Sequence, residues 1–187
     1  MATLFYILMG FWFASEIYFA IALRSKKNKD KKSDRSTLSI LWIVISLSIF
    51  ISIFFSFSTI KFRIVNSEWI QYLGLFLIFM GLLFRFVIVR SLGKYFTVDV
   101  TIREEHQLKK DGFYGIVRHP SYFFSLITFL GLGIFLNNWV GLAIAFIPTL
   151  LAFIYRIKVE EQALNEYFGE EYLNYKKNTK RIIPYIY

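Results

Sequence analysis

Gly112-Phe-Tyr-Gly-Ile-Val-Arg-His-Pro-Ser-Tyr122, followed by an apolar hairpin and then Tyr155-Arg-Ile-Lys-Val-Glu-Glu-Gln-Ala-Leu164, decides how this chain is read. It sets Arg118, His119, Arg156, Glu160 and Glu161 at the edges of hydrocarbon-length segments, where charge is costly and usually has a job. The arrangement points to a site at a membrane face.

Working outward, the chain is 56% hydrophobic and 20% aromatic over 187 residues, which is too apolar for an ordinary soluble domain. Five segments approach the length needed to cross a bilayer core: about 4–23, 38–57, 70–89, 120–136 and 139–155. The expected class is therefore an all-α integral membrane protein with five transmembrane helices. The first segment has no basic region before it and no small-residue cleavage site, so it reads as a retained helix whose Glu16 is buried against a neighbour. The last two are separated only by Asn137-Asn138 and predict a tight hairpin, with Gly131, Gly133, Gly141, Ala143 and Ala145 permitting close backbone approach. Pro148 is expected to kink the returning helix. Residues 1–90 read as an N-terminal three-helix region and 91–187 as the core that carries the chemistry.

The +9 net charge sits in the short segments between apolar runs, so it speaks for orientation in the membrane and against nucleic-acid binding. The stretch 24–35 is strongly basic, and basic residues return in 90–118 and after Arg156, whereas 58–69 carries only Lys61 and Arg63. Five spans with the N-terminus outside place all three basic segments in the cytosol. Membrane lipids are the expected surroundings. With no cysteine and only two histidines, a thiolate nucleophile is excluded and no metal centre is expected.

Residues 91–119 hold most of the unusual polar groups, among them Asp99, Arg103, Glu104, Glu105 and His106, with a strand-like alternation over Thr97–Ile102. Gly112 and Gly115 permit tight turns, and Pro120 at the first helical position would make His119 the N-cap. The amides of that helix end can receive an anion. Arg-His-Pro by itself reads more readily as a snorkelling basic pair before a helix start than as an anion site. Arg156 and Glu160, four apart on one helix face, would elsewhere be a surface ion pair of little value. Here they follow an apolar span directly. Leu164, Phe168, Tyr172 and Tyr175 recur at three or four residues beyond it, which predicts a C-terminal amphipathic helix folded over the cytosolic face.

The ordered set Gly112-x-Tyr114, Arg118-His119-Pro120-Ser121-Tyr122, a helical hairpin, Arg156-Ile157-x-x-Glu160-Glu161-x-x-Leu164, Phe168-Gly169-x-Glu171-Tyr172-x-x-Tyr175 and Ile183-Pro184 resembles the isoprenylcysteine carboxyl methyltransferase family. It covers about residues 92–187. The resemblance implies an S-adenosylmethionine-dependent methyltransferase with a cytosolic-side cofactor pocket and a lipophilic or lipidated substrate entering from the bilayer. Cofactor contacts would fall on His106, Gln107, Leu108 and Lys109, on Tyr114, on His119, Pro120, Ser121 and Tyr122, and on Glu160. Asp99 would lie near the adenosyl group. Arg156 would face the acceptor carboxylate. Many relatives have Gly two residues after the motif Tyr where this chain has Phe124, which would narrow the pocket. A membrane reductase using NADPH shares the Arg-His-Pro-x-Tyr element but does not call for Arg156, Glu160 and Glu161. Phospholipid N-methylation would present an ammonium acceptor that Arg156 does not attract. A non-catalytic scaffold or transporter leaves the clustering of polar residues on one side without a reason.

Overall fold

The computed structural model describes residues 1–22, 31–34, 36–57, 62–93, 100–102 and 107–187. Its helices are α1 (Ala2–Ala22), α2 (Ser36–Ser56), α3 (Trp69–Leu92), α4 (Pro120–Phe135), α5 (Trp139–Phe168) and α6 (Glu170–Asn178). Two short strands, β1 (Lys31–Asp34) and β2 (Val100–Ile102), pair antiparallel, and β2 packs against α5. Of the strand-like alternation over 97–102, residues 100–102 form β2, and positions 97–99 lie outside the described residues.

Four helices, α1, α2, α3 and α5, are long and apolar enough to cross a membrane. The expected fourth segment, 120–136, is the apolar helix α4, whose 16 residues rise only about 24 Å against a core of about 30 Å. Pro120 fixes its start, and Asn137 at φ 49° turns the chain just beyond its end. By contrast α5 runs for 30 residues, so its last turns carry Arg156, Glu160 and Glu161 beyond the apolar stretch. A positive φ at Gly169 ends α5 and starts α6, splitting the expected tail helix in two; Tyr172 and Tyr175 are buried on α6, while Leu164 and Phe168 are half-buried at the end of α5.

Small residues set the helix spacing, in the expected hairpin and also between α3 and α4. The α3 and α4 backbones touch: a Cβ on Gly131 would lie 2.7 Å from Ile78 N, and one on Gly74 would lie 2.4 Å from Phe135 N. In the hairpin Gly133 lies against Leu142, at 2.5 Å, and Ala145 is buried. Gly141 instead faces Ser52 and Ser56 on α2, and Ala143 is exposed. Both asparagines of the turn are used. Asn138 Oδ1 accepts from the amides of Val140 and Gly141, capping α5. Asn137 Oδ1 accepts from the amides of Ile64 and Val65 and its Nδ2 donates to Val65 O, which ties the preceding loop to the turn.

α1 is held more thinly, on α3 and α4, by a Phe5–Phe135 stack at 4.1 Å, a Trp12–Phe129 edge contact at 5.0 Å and one ion pair. Arg85 donates to both oxygens of Glu16, at 2.8 and 3.0 Å, as the expected burial of Glu16 requires. Removing one partner strands a charge within the helix packing, whereas replacing both with apolar residues does not. Glu16→Leu alone should therefore cost about 3 kcal/mol of stability, and adding Arg85→Leu should recover most of that loss. Thermal unfolding in detergent of the two single variants and the double variant checks this; a double variant no better than Glu16→Leu rules it out.

Candidate active site

The site is built where the N-terminal end of α4, the last turns of α5, α6 and the C-terminal tail converge. Gly112 at φ 60° opens a 3₁₀ turn, Gly112–Gly115, that carries Tyr114 into the interior. Tyr175 Oη donates to Tyr114 O at 2.6 Å, so the buried turn and the buried face of α6 meet. Burial, with Tyr175 and Glu160 acting in the same sense, pushes the Tyr114 phenol well above its ordinary range and keeps it neutral.

The next four residues run beside the tail. Lys180 N donates to Ile116 O, Arg118 N to Lys180 O and His119 N to Arg181 O, at 2.8 to 3.1 Å. This ladder delivers His119 to the N-cap of α4, with Pro120 as the first helical residue. His119 caps by its backbone only; its side chain is turned to α5.

Two consecutive glutamates receive it. His119 Nδ1 lies 3.4 Å from Glu160, and Nε2 lies 3.5 Å from Glu161 without the alignment of a hydrogen bond, so Nε2 is a buried nitrogen with no hydrogen-bond partner. Glu160 Oε1 also accepts from Tyr122 Oη at 2.5 Å and from Arg156 Nε at 3.3 Å. Arg156 is 1% exposed, and its Nη1 donates to the hydroxyl of Thr37, a buried residue at the start of α2. Tyr122 packs on Phe153 at 4.9 Å, which closes the cluster on its membrane side.

Glu161 faces the other way and is an ionic hub. Arg118 Nε donates to it at 2.9 Å and Arg181 from two nitrogens at 2.9 and 3.2 Å, with Lys176 Nζ 3.7 Å away. Arg118 Nη1 also donates to the carbonyls of Lys176 and Thr179. One carboxylate thereby joins α5, the loop before α4, α6 and the tail.

Of the residues expected at the cofactor, His119, Tyr122 and Glu160 come together with Arg156. Pro120 and Ser121 are buried at the start of α4, beside them in sequence. Tyr114 lies on the neighbouring turn. Gln107 is exposed, Leu108 half-buried, and Lys109 pairs with Asp111; Lys110 ties this stretch to Glu171 on α6. The expectations for His106 and Asp99 lie outside the described residues. Thr37, Glu161's role and Arg85 are additions. No local spacing signals them, because their partners lie 15 to 119 residues away along the chain. Phe124 does not enter the Glu160 cluster by any contact described; it stacks on Phe84 of α3 at 4.9 Å and meets Phe113 edge-on at 5.8 Å.

A family model described as phospholipid methyltransferase matches residues 69–171. Protein-S-isoprenylcysteine O-methyltransferase B of Arabidopsis thaliana is 31% identical, over 98% of this chain and 93% of its own length. The chain belongs to the isoprenylcysteine carboxyl methyltransferase family. It is a membrane methyltransferase. The Saccharomyces cerevisiae protein-S-isoprenylcysteine O-methyltransferase is 34% identical over 61% of this chain, which spans 48% of that relative's length. A solved eukaryotic intramembrane Ras methyltransferase, an isoprenylcysteine carboxyl methyltransferase, superposes with a TM-score of 0.58 and 26% identity, covering 82% of this chain and 54% of that one. The family-model match begins at α3, upstream of the motif residues.

The His119 environment has a measurable consequence in this methyltransferase. Burial disfavours its charge, but the Glu160 carboxylate, by hydrogen bonding and attraction, and the Glu161 carboxylate, by its nearby charge, outweigh that, so its pKa is raised. The folded state then favours imidazolium. This contribution to stability is complete below the ordinary imidazole value of about 6.5 and is lost as pH rises through the higher folded value. Thermal stability of the ligand-free protein should fall as pH is taken upward from about 6.5, with a shallower slope in His119→Asn. Equal slopes in the two proteins count against the assignment.

Proposed function

We propose that this protein uses S-adenosylmethionine to methylate the carboxylate of a prenylcysteine-like or similarly lipophilic acceptor that enters from the bilayer. The observation that carries this reading is a buried Arg156 held beside the His119–Glu160–Tyr122 cluster at the end of an apolar span. A guanidinium there matches an anionic acceptor and repels an ammonium one. The relative that covers nearly all of this chain carries O-methyltransferase in its name. This favours carboxyl transfer over phospholipid N-methylation.

The residues suit the cofactor. Glu160 has 22% of its side chain exposed against 5% for Glu161, so the carboxylate with fewer cationic partners is also the more accessible one, ready for an ammonium group. His119, with Nδ1 3.4 Å from Glu160, stands beside that carboxylate. Tyr114, Pro120, Ser121 and Tyr122 complete the wall, with His106, Gln107, Leu108 and Lys109 as the covering stretch. S-adenosylmethionine, when bound, supplies a methyl group on a positively charged sulfur.

The acceptor carboxylate is already ionised at neutral pH, so the protein need supply neither a general base nor a metal. A carboxylate oxygen forms the new bond to carbon as the carbon–sulfur bond breaks, leaving a neutral thioether. What remains for the protein is positioning and exclusion of water. Arg156, already engaged by Glu160 and Thr37, meets the acceptor as a fixed, partly neutralised cation and not as a free fork. That suits the reaction, because a stronger grip would stabilise the ground state and blunt the nucleophile.

In this reading α4 is the fifth membrane-crossing helix, short because the site is recessed at its N-terminal end. The N-terminus lies outside, and the site, α6 and the tail face the cytosol, in a bacterial or archaeal inner membrane or the endoplasmic reticulum. The cofactor is charged and made in the cytosol.

Calorimetric titration of the purified protein should show binding of S-adenosylmethionine and none of NADPH; the reverse result replaces the methyltransferase reading with a reductase. Arg156→Ala should abolish methyl transfer with cofactor affinity kept within a few fold, while Glu160→Gln should weaken cofactor binding. An Arg156→Ala protein of full activity removes the carboxylate contact.

Sidedness is tested separately in this cysteine-free chain. A cysteine at Ser67 should react with an impermeant thiol reagent added outside intact cells, and one at Asn178 should not. Labelling at Asn178 overturns the orientation.

A further inference from the structure

α2 and α5 lie against each other along their lengths, and two polar contacts fix their register. At the turn end, Ser52 Oγ donates to Gly141 O at 2.7 Å, in a buried position. At the site end, Arg156 Nη1 donates to Thr37 Oγ1. From Gly141 to Arg156 on α5 is fifteen residues, and from Ser52 to Thr37 on α2 is fifteen residues in the opposite direction. The second contact thus follows from the same antiparallel helix pairing as the first. Gly141 enforces this pairing, since a Cβ there would stand 3.0 Å from Ser56 Oγ.

Arg156 therefore has anchors of different origin at two of its nitrogens. Glu160, one turn along the same helix, accepts from Nε; Thr37, on another helix, accepts from Nη1. A contact within its own helix leaves a guanidinium some swing, and an anchor on a second helix restricts it at a cost in rotamer entropy. Thr37 is 4% exposed and Arg156 1%, so water does not replace the hydroxyl freely if it is removed. We propose that Thr37 is a positioning residue for the methyl-transfer step, holding Arg156 at the angle from which it meets the acceptor carboxylate, and that this is the contribution of α2 to the site. The inference rests on the acceptor role given to Arg156 above.

Valine replaces the hydroxyl by a methyl of nearly the same shape, so Thr37→Val removes the acceptor with little change in packing. Serine keeps it. With N-acetyl-S-farnesylcysteine as the acceptor probe, Thr37→Val should lower kcat/KM for that probe by roughly tenfold or more, the scale of a lost buried hydrogen bond to a charged group. The dissociation constant for S-adenosylmethionine should stay near that of the parent protein, and Thr37→Ser should restore most of the turnover. A purely structural role would move the cofactor affinity together with the rate. Parent-like kinetics in Thr37→Val, with Arg156→Ala inactive, overturns the role of Thr37 while leaving that of Arg156 intact. Full activity in Arg156→Ala overturns the role of Arg156 and that of Thr37 with it. Loss of turnover that serine does not rescue, or that comes with lost cofactor affinity, also overturns the proposal.

Discussion

Glu161 is the carboxylate on which the working end of the molecule depends, because four separate pieces of chain meet through it. Arg118 brings the loop before α4, Lys176 brings α6, Arg181 brings the tail, and Glu161 itself belongs to α5. Only 5% of its side chain and 8% of that of Arg118 is exposed, so the pairing occurs largely out of water. A buried ion pair of this kind is weak support for stability in itself, since desolvation offsets much of the attraction. Its value lies in specificity. Arg118 and Arg181 also belong to the backbone ladder of 116–119 against the tail, so the ion pairs and the ladder hold the same two segments together.

That constraint complements the one at the other end. Within hydrocarbon, backbone polar groups must be satisfied internally, which leaves the long helices as the means of crossing. Where the chain turns between α4 and α5, Asn137 and Asn138 satisfy backbone amides and a carbonyl of the turn and the neighbouring loop. Between the two ends, Gly74, Gly81 and Gly131 let α3 and α4 approach until backbones touch. The α3–α4 spacing thus rests on small residues, while α5, which carries the polar cluster, is registered on α2 by Ser52 and Thr37.

The number and limits of the apolar helices were legible because hydrocarbon length and the Pro120 and Asn137 boundaries are local signals. The Arg156–Glu160 pair was legible too, since it needs only helical periodicity. Gly131 and Gly141 were recognised as close-approach residues but assigned to the wrong neighbour: a glycine marks where backbones come near and carries no information on which helix comes near. Thr37 could not have been found. A threonine in the first turn of a polar-flanked helix is ordinary, and its partner is 119 residues distant. Glu161 was visible as one of a glutamate pair, yet its task is set by Arg118 and Arg181, which approach through tertiary structure alone.

The adjacent glutamates show how one helix turn can serve both structure and chemistry. Successive residues on an α-helix point about 100° apart, so Glu160 and Glu161 address different surroundings although one peptide bond separates them. Glu161 meets Arg118, Arg181 and Lys176, and its charge is spent within the fold. Glu160 meets Arg156, Tyr122 and His119, of which only Arg156 is always cationic, and it keeps more exposed surface. His119 lies between them, with one ring nitrogen toward each. A ligand that brings a positive group to Glu160 competes with His119 for that carboxylate and not with the clasp on Glu161. The ion pairs of Glu161 thus stand apart from whatever charge is brought to Glu160.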